Sequence, residues 1–150
     1  MRIALYEPEI AGNVGAVLRL GACLGVPVDL IEPLGFVWDD ARVRRTAMDY
    51  IDHVEVIRHP DWAAFRASIG SARLVLLTTK SRVSAYDYAF LHDDVLLFGK
   101  ESAGVPDHVH QSCPARIRLP IRATVRSMNV AMSAGLALGE ALRQTGGLPD

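Results

Sequence analysis

The stretch Val95-Leu96-Leu97-Phe98-Gly99-Lys100-Glu101-Ser102-Ala103-Gly104-Val105-Pro106 joins a short apolar run to a Gly-x-Glu-x-x-Gly-x-Pro turn. An apolar run this short, ending at a glycine, reads as a strand buried on both faces, as in parallel sheets. Gly99 and Gly104 permit unusual dihedrals and leave no side chain between the backbone and a bound molecule. Pro106 suits the first turn of a following helix. Glu101 is the one acid at the mouth of the turn. On these residues alone two readings stand, a plain structural bend and a loop wrapped around a ligand.

Outward from this stretch, strand-like and helix-like segments alternate. Residues 2–6 form a β-rich run, followed by a loop with Pro8 and Gly12. Val14, Val17, Leu18, Ala22 and Leu24 then recur at helical spacing, with Asn13 expected as N-cap and Gly25 as the stop. Strands are expected at Val28–Ile31, Val54–Ile57, Arg73–Thr79 and Ile117–Leu119, and helices at Asp39–Met48, Pro60–Ile69, Pro106–Ser112 and Asn129–Arg143. The polar segment from Lys80 to His92 stays ambiguous. Alternation of this kind predicts one α/β domain, residues 1–150, with a mainly parallel sheet. Strand order cannot be read from it.

Composition narrows the function classes. Of 150 residues, 50% are hydrophobic and 22% charged, as in an ordinary globular protein. No apolar run approaches the roughly 20 residues that span a bilayer. The N-terminus meets Glu7, Pro8 and Glu9 too early for a signal peptide. Cys23 and Cys113 form neither a disulfide framework nor a metal set, and His108-x-His110 stands alone. The expectation is a cytoplasmic protein with no metal and no membrane contact. A net charge of -1 gives no global nucleic-acid signature, so any such binding must come from a local basic patch.

Parallel sheets bind ligands beyond the carboxyl ends of their strands. The loops to inspect are therefore Glu7–Asn13, Thr78 to Lys80, Gly99–Gly104 and Pro120–Asn129, where glycines, hydroxyls and amides gather. Together they suit a polar, adenosine-sized ligand. Gly12-x-x-Gly15, with Glu32 further on, imitates a dinucleotide fingerprint, but the required Gly-x-Gly-x-x-Gly is absent. A nucleotide-dependent oxidoreductase is disfavoured accordingly.

Three segments taken together carry a resemblance: Asn13-x-Gly15-x-x-x-Arg19, Phe98-Gly99-x-Glu101-x-x-Gly104-x-Pro106, and Ile117-x-Leu119-Pro120 followed by Ser127-Met128-Asn129. They resemble the three motifs of the SPOUT class of RNA methyltransferases. Leu5-Tyr6-Glu7-Pro8-Glu9-Ile10, Ile31-Glu32-Pro33-Leu34-Gly35-Phe36 and Leu77-Thr78-Thr79-Lys80 extend the likeness to the small TrmL branch, over nearly the whole chain. That branch 2'-O-methylates the wobble nucleotide of certain leucine tRNAs. The resemblance implies an α/β fold with a C-terminal trefoil knot, S-adenosyl-L-methionine as cofactor, tRNA as substrate, and a homodimer that completes the substrate site. Action at another tRNA or rRNA position, or a non-catalytic RNA-binding relative, is the alternative.

By the same resemblance the cofactor residues are Leu77, Thr78, Gly99, Glu101, Gly104, Ile117, Leu119, Ile121, Ser127, Met128 and Asn129. The residue types fit that use. Leu77, Ile117, Leu119 and Ile121 can wall an adenine, and Ser127 and Asn129 can bond polar edges while opening the last helix. A bland reading makes Leu119 and Ile121 core and Ser127 a helix cap. Arg19 is the expected catalytic residue, with Asn13 a cap or a polar contact beside it. Glu101 is expected to bond Asn13 or loop amides. Arg42, Arg44, Arg45, Lys80, Arg82 and Arg126 are candidates for contacting tRNA phosphates. The chain departs from the family pattern at Ala11-Gly12-Asn13, where relatives are proline-rich, and at Gly139, where relatives often carry a tyrosine.

Overall fold

The chain's most apolar segments become the middle of one sheet. In the computed structural model, which describes all 150 residues, six strands are β1 (Arg2–Tyr6), β2 (Val28–Ile31), β3 (Val56–His59), β4 (Leu74–Leu77), β5 (Val95–Phe98) and β6 (Ala115–Ile117). They lie in the order β3-β2-β1-β5-β4-β6 and every neighbouring pair is parallel. The helices are α1 (Ala11–Leu24), α2 (Asp40–Thr46), α3 (Trp62–Ile69), α4 (Asp107–Ser112) and α5 (Val130–Thr145), with a single 3-10 turn at Tyr50–His53.

Alternation along each strand divides the core in two. Ile3, Leu5, Val28, Leu30, Val75, Leu96, Phe98 and Ile117 face α1 and α5, meeting Val14, Val17, Leu18, Ala134 and Leu138. Ala4, Tyr6, Ile31, Leu74, Leu76, Val95 and Leu97 face α3 and α4, meeting Phe65, Ile69, Val109 and Cys113. Both faces are covered, so the strands need no polar alternation. The expected mainly parallel α/β domain is therefore found.

Several boundaries differ from the sequence reading. Helix α1 begins at Ala11, and its N-cap is Ile10, not Asn13. Strand β3 lies two residues later than expected, and β4 stops at Leu77, just before a turn at Thr79–Lys80 in which the Ser81 amide bonds the Thr78 carbonyl (3.3 Å). Strand β6 is displaced to Ala115–Ile117. Asp39, the first residue of the expected Asp39–Met48 helix, caps α2, accepting from the amides of Ala41 and Arg42. The ambiguous segment after Lys80 forms no regular element. It is fastened along the free edge of β6, with Arg118 donating to the Val83 carbonyl and Ala85 to the Arg118 carbonyl, both at 2.8 Å.

Two buried acids were not visible as such in the sequence. Asp29 is fully buried in β2 and accepts from Arg2 (2.7 and 2.8 Å) while bonding the His59 ring (2.7 Å). Asp94, also fully buried, accepts from Arg73 and from the Leu91 amide. Each carboxylate is paired and hydrogen-bonded, which is the condition for burying one.

The strand order decides where the site lies. The sequence of strands runs outward in one direction from β1 to β2 and β3, and in the other from β5 to β4 and β6. The switch falls between β1 and β5. Loops leaving their carboxyl ends part there and leave a crevice.

Candidate cofactor and active site

The loop after β5 is held shut by its own backbone. Lys100 and Gly104 exchange two main-chain hydrogen bonds, each 2.9 Å, in an isolated antiparallel bridge. Gly104 has φ +66°, and a Cβ at Gly99 would sit 2.6 Å from the Gly104 Cα. Neither position has room, in dihedral or in space, for another residue.

Carboxylates then tie this loop to the one after β1. Glu101 accepts from the amides of Glu9 (2.9 Å) and Ile10 (3.3 Å) and from the Asn13 side chain (3.2 Å). Helix α1 has no side-chain cap of its own at Ile10. Glu101 supplies negative charge at that helix N-terminus from 91 residues away in sequence, where the helix dipole favours it. Glu9 reciprocates, accepting from the Ser102 amide (2.9 Å) and hydroxyl (2.8 Å). Those bonds, the hydroxyl first, hold the Glu9 carboxyl below its usual range. Glu7, in the left-handed region at φ 42°, pairs with Lys100 at 2.7 Å and pushes that ammonium's pKa up. Beneath them, burial and then Glu7 push the Tyr6 phenol up to about 12.

The third segment joins through amides. Asn129 donates to the Asn13 side-chain oxygen (2.9 Å) and caps α5, accepting from Ala131 (2.9 Å) and Met132 (3.3 Å). Glu101, Asn13 and Asn129 therefore form one chain of hydrogen bonds linking all three motifs. Asn129, not Ser127, is the cap of α5.

These loops enclose a cavity of about 480 Å³. Leu77, Thr78, Gly99, Glu101, Gly104, Leu119, Ile121, Ser127, Met128 and Asn129 all line it, together with Asn13 and Lys80. Ile117 does not: its side chain is fully buried in the core shared with α1 and α5. The walls mix apolar side chains with amides, hydroxyls and glycine backbone, and the size and chemistry fit a nucleoside-bearing cofactor. Leu76, Phe98, Lys100, Ser102, Val105, His110 and Ser133 also line the cavity and were not among the expected site residues. Ser133 had a legible signal, one helical turn after Asn129. His110 had none, since α4 reaches the cavity only through the tertiary fold.

Arg19 lies apart. It is exposed on α1, its guanidinium directed at the Met48 sulfur (2.7 Å) and over the Tyr50 ring (5.0 Å). Arg42, Arg44, Arg45 and Arg126 are exposed and outside the cavity, with Arg44 paired to Asp52 at 2.9 Å. No group of three His, Cys, Asp or Glu side chains is disposed to hold a metal, and no helix is long and apolar enough to cross a membrane.

The chain is similar to several known proteins. The chain is 52% identical to a tRNA (cytidine(34)-2'-O)-methyltransferase of Beijerinckia indica, over 97% of this chain and 92% of that protein. A solved structure bearing on "the 2-OH methylation of C/U34 on tRNA" superposes with a TM-score of 0.91 at 38% identity, covering 95% of this chain and 94% of that one. The SpoU methyltransferase AviRb from Streptomyces viridochromogenes, in complex with the cofactor AdoMet, superposes with a TM-score of 0.82 at 25% identity, over 96% of this chain and 57% of that one. The SpoU rRNA Methylase family matches over residues 1–139. This chain belongs to the SpoU rRNA methylase family.

Proposed function

We propose that this chain is an S-adenosylmethionine-dependent tRNA 2'-O-methyltransferase acting on the wobble nucleotide, cytidine or uridine 34, of leucine tRNAs. The observation that carries the reading is the cavity at the strand-order switch, walled by all three motif segments. A relative 52% identical over nearly the full chain, named for this reaction, supports the choice of acceptor. The leucine preference rests on the TrmL resemblance alone.

Bound in the cavity, S-adenosylmethionine supplies an electrophilic methyl on a sulfonium. Leu77, Leu119 and Ile121 would hold its adenine between apolar walls, and the Gly99–Gly104 backbone would wrap it. Glu101, Asn13 and Asn129 keep that backbone fixed through their bonds to one another. Attack by a ribose 2'-hydroxyl is an in-line displacement, in which positioning supplies much of the acceleration. As the new O–C bond forms the methyl's bond to sulfur breaks, and the hydroxyl's proton passes to an RNA phosphate oxygen or to water. A guanidinium keeps its own protons at neutral pH, so Arg19 serves to clamp an RNA phosphate and to stabilise negative charge building on the oxygen.

The resemblance implies a homodimer, and in it Arg19, which stands outside the cavity of its own subunit, would serve the cavity of the other. Met132 and Leu136, 63% and 45% exposed on α5, would supply apolar surface for such pairing. The whole chain, 1–150, works as one catalytic domain, with Arg42, Arg44, Arg45, Lys80 and Arg126 toward the tRNA. The connection from β6 to α5 is the knotted segment that the resemblance implies. A tRNA substrate sets the enzyme in the cytoplasm.

The test is transfer of labelled methyl to total tRNA, followed by nucleoside mapping. The expected product is 2'-O-methylated pyrimidine at position 34. Arg19→Ala is expected to bind cofactor normally and lose most turnover. A dimer that binds cofactor and transfers nothing to RNA contradicts the reading and favours a non-catalytic RNA-binding relative.

A further inference from the structure

A second cavity, of about 470 Å³, opens between the segment after β4 and the free edge of β6. It shares Lys80 and His110 with the cofactor cavity and adds Arg116, Ser81 and Tyr88. Three observations give it a chemistry. Neither Lys80 nor Arg116 takes part in any salt bridge. The Tyr88 hydroxyl is buried without a hydrogen-bond partner in the protein. The chain has no Asp or Glu between Asp107 and Glu140, a span holding Arg116, Arg118, Arg122 and Arg126. In a protein of net charge -1, that is a strong local segregation of positive charge.

The frame presenting these cations is fixed. Ser81 donates its hydroxyl to the Arg116 carbonyl (2.7 Å), and Arg118 donates to the Val83 carbonyl (2.8 Å). These bonds fix the backbone from which the exposed Lys80 and Arg116 side chains project. Arg116 and Arg118 stand two residues apart on an extended segment and so point the same way, away from Ile117 in the core.

We infer that this edge cavity seats backbone phosphates of the RNA strand flanking the methylated nucleotide, with Lys80 and Arg116 as the charge contacts and the Tyr88 hydroxyl as a donor. The inference rests on the proposed RNA substrate. A ribose entering the cofactor cavity carries its neighbouring phosphates along the surface. The adjoining cavity, sharing Lys80 and His110, is the nearest cationic ground for them. Phosphate contacts of this kind set the register of the strand without reading its bases.

The experiment measures tRNA affinity over a salt series for the full-length protein and for Arg116→Gln, Arg116→Lys and Tyr88→Phe, alongside cofactor affinity by calorimetry. Arg143→Gln is the control, since Arg143 pairs with Glu140 on α5. Arg116→Gln is expected to weaken tRNA binding about three- to tenfold and to reduce the slope of log K against log salt by about one unit. It raises the KM for tRNA more than it lowers kcat and leaves cofactor affinity alone. Arg116→Lys recovers most of the slope. Tyr88→Phe weakens tRNA binding without lowering the melting temperature, because a hydroxyl with no partner in the protein is missed only by a ligand. Inorganic phosphate competing with tRNA at low millimolar concentration, equally in wild type and Arg116→Gln, points to a free-anion site elsewhere and overturns the inference. So does an Arg116→Gln protein with wild-type affinity and slope. If wild-type protein binds tRNA through Arg116 yet transfers no methyl, the proposed function fails while this inference stands.

Discussion

Replacing Glu101 by glutamine removes one negative charge and one acceptor while keeping the side chain's shape. In the native protein the carboxylate takes three donors: the amides of Glu9 (2.9 Å) and Ile10 (3.3 Å) and the Asn13 side chain (3.2 Å). Glutamine satisfies one side of that set with its oxygen and turns its own NH2 against the donors on the other. Hydrogen bonds to a charged partner contribute about 1.5–3 kcal/mol each. The site is only partly buried and water repairs some of the loss, so the net destabilisation is about 2–3 kcal/mol. For a chain of this size, about 2–4 °C per kcal/mol puts the melting temperature down by about 4–12 °C. Cofactor affinity falls as well, because the loop that wraps it is released from α1. Thermal melts and calorimetric titration with S-adenosylmethionine read the two effects. In a double-mutant cycle, Asn13→Ala and Glu101→Gln are expected to be less than additive, since they share a bond. A Glu101→Gln protein with a wild-type melting temperature and unchanged cofactor affinity refutes the assignment of Glu101 as the remote cap of α1.

Gly99→Ala forces a Cβ against the Gly104 backbone and opens the Lys100–Gly104 bridge. It is expected to cost about 1–3 kcal/mol in denaturant unfolding and to abolish measurable cofactor binding. Asn129→Ala removes the α5 cap and the Asn13 contact, a loss of about 1 kcal/mol in the same assay, while Asn129→Ser retains most of it. At acid pH, bonds from Arg143 and then Gln144 hold the Glu140 carboxyl down at about 2, against 4.5 for an ordinary glutamate. The stabilisation it gives is present above pH 4.5 and is lost as pH falls toward about 2. Glu140→Gln is therefore expected to flatten the pH dependence of the unfolding free energy in that window, lowering stability near neutrality and leaving it unchanged at about pH 2.

The parallel α/β architecture was legible because its evidence is local. Val95–Phe98 is short and wholly apolar, the pattern of a strand covered on both faces, and Val28–Ile31 follows it apart from Asp29. Asp39 announced the start of α2 by chemistry that needs only its own neighbours. Asn13 misled for the opposite reason. It has the right chemistry for a cap, but Glu101, distant in sequence, does that work, and Asn13 is drawn into the bond with Glu101. The buried pairs Arg2–Asp29 and Arg73–Asp94 were opaque for the same cause, since each acid finds its cation only when strands assemble. At the site, ten of the eleven expected cofactor residues line one cavity. Ile117 fails because alternation on β6 turns it to the core, and a two-residue shift in that strand's limits was enough to hide this. Arg19 could not be assigned a neighbour from sequence at all, and within one subunit it has none in the cavity.

The central claim is tested most directly by methyl transfer to two leucine tRNA transcripts that differ only in the sugar at position 34, ribose or 2'-deoxyribose. The account predicts stoichiometric, S-adenosylmethionine-dependent labelling of the first and none of the second, with both bound equally well. Equal labelling of both transcripts, or none of either by folded and cofactor-bound protein, contradicts it.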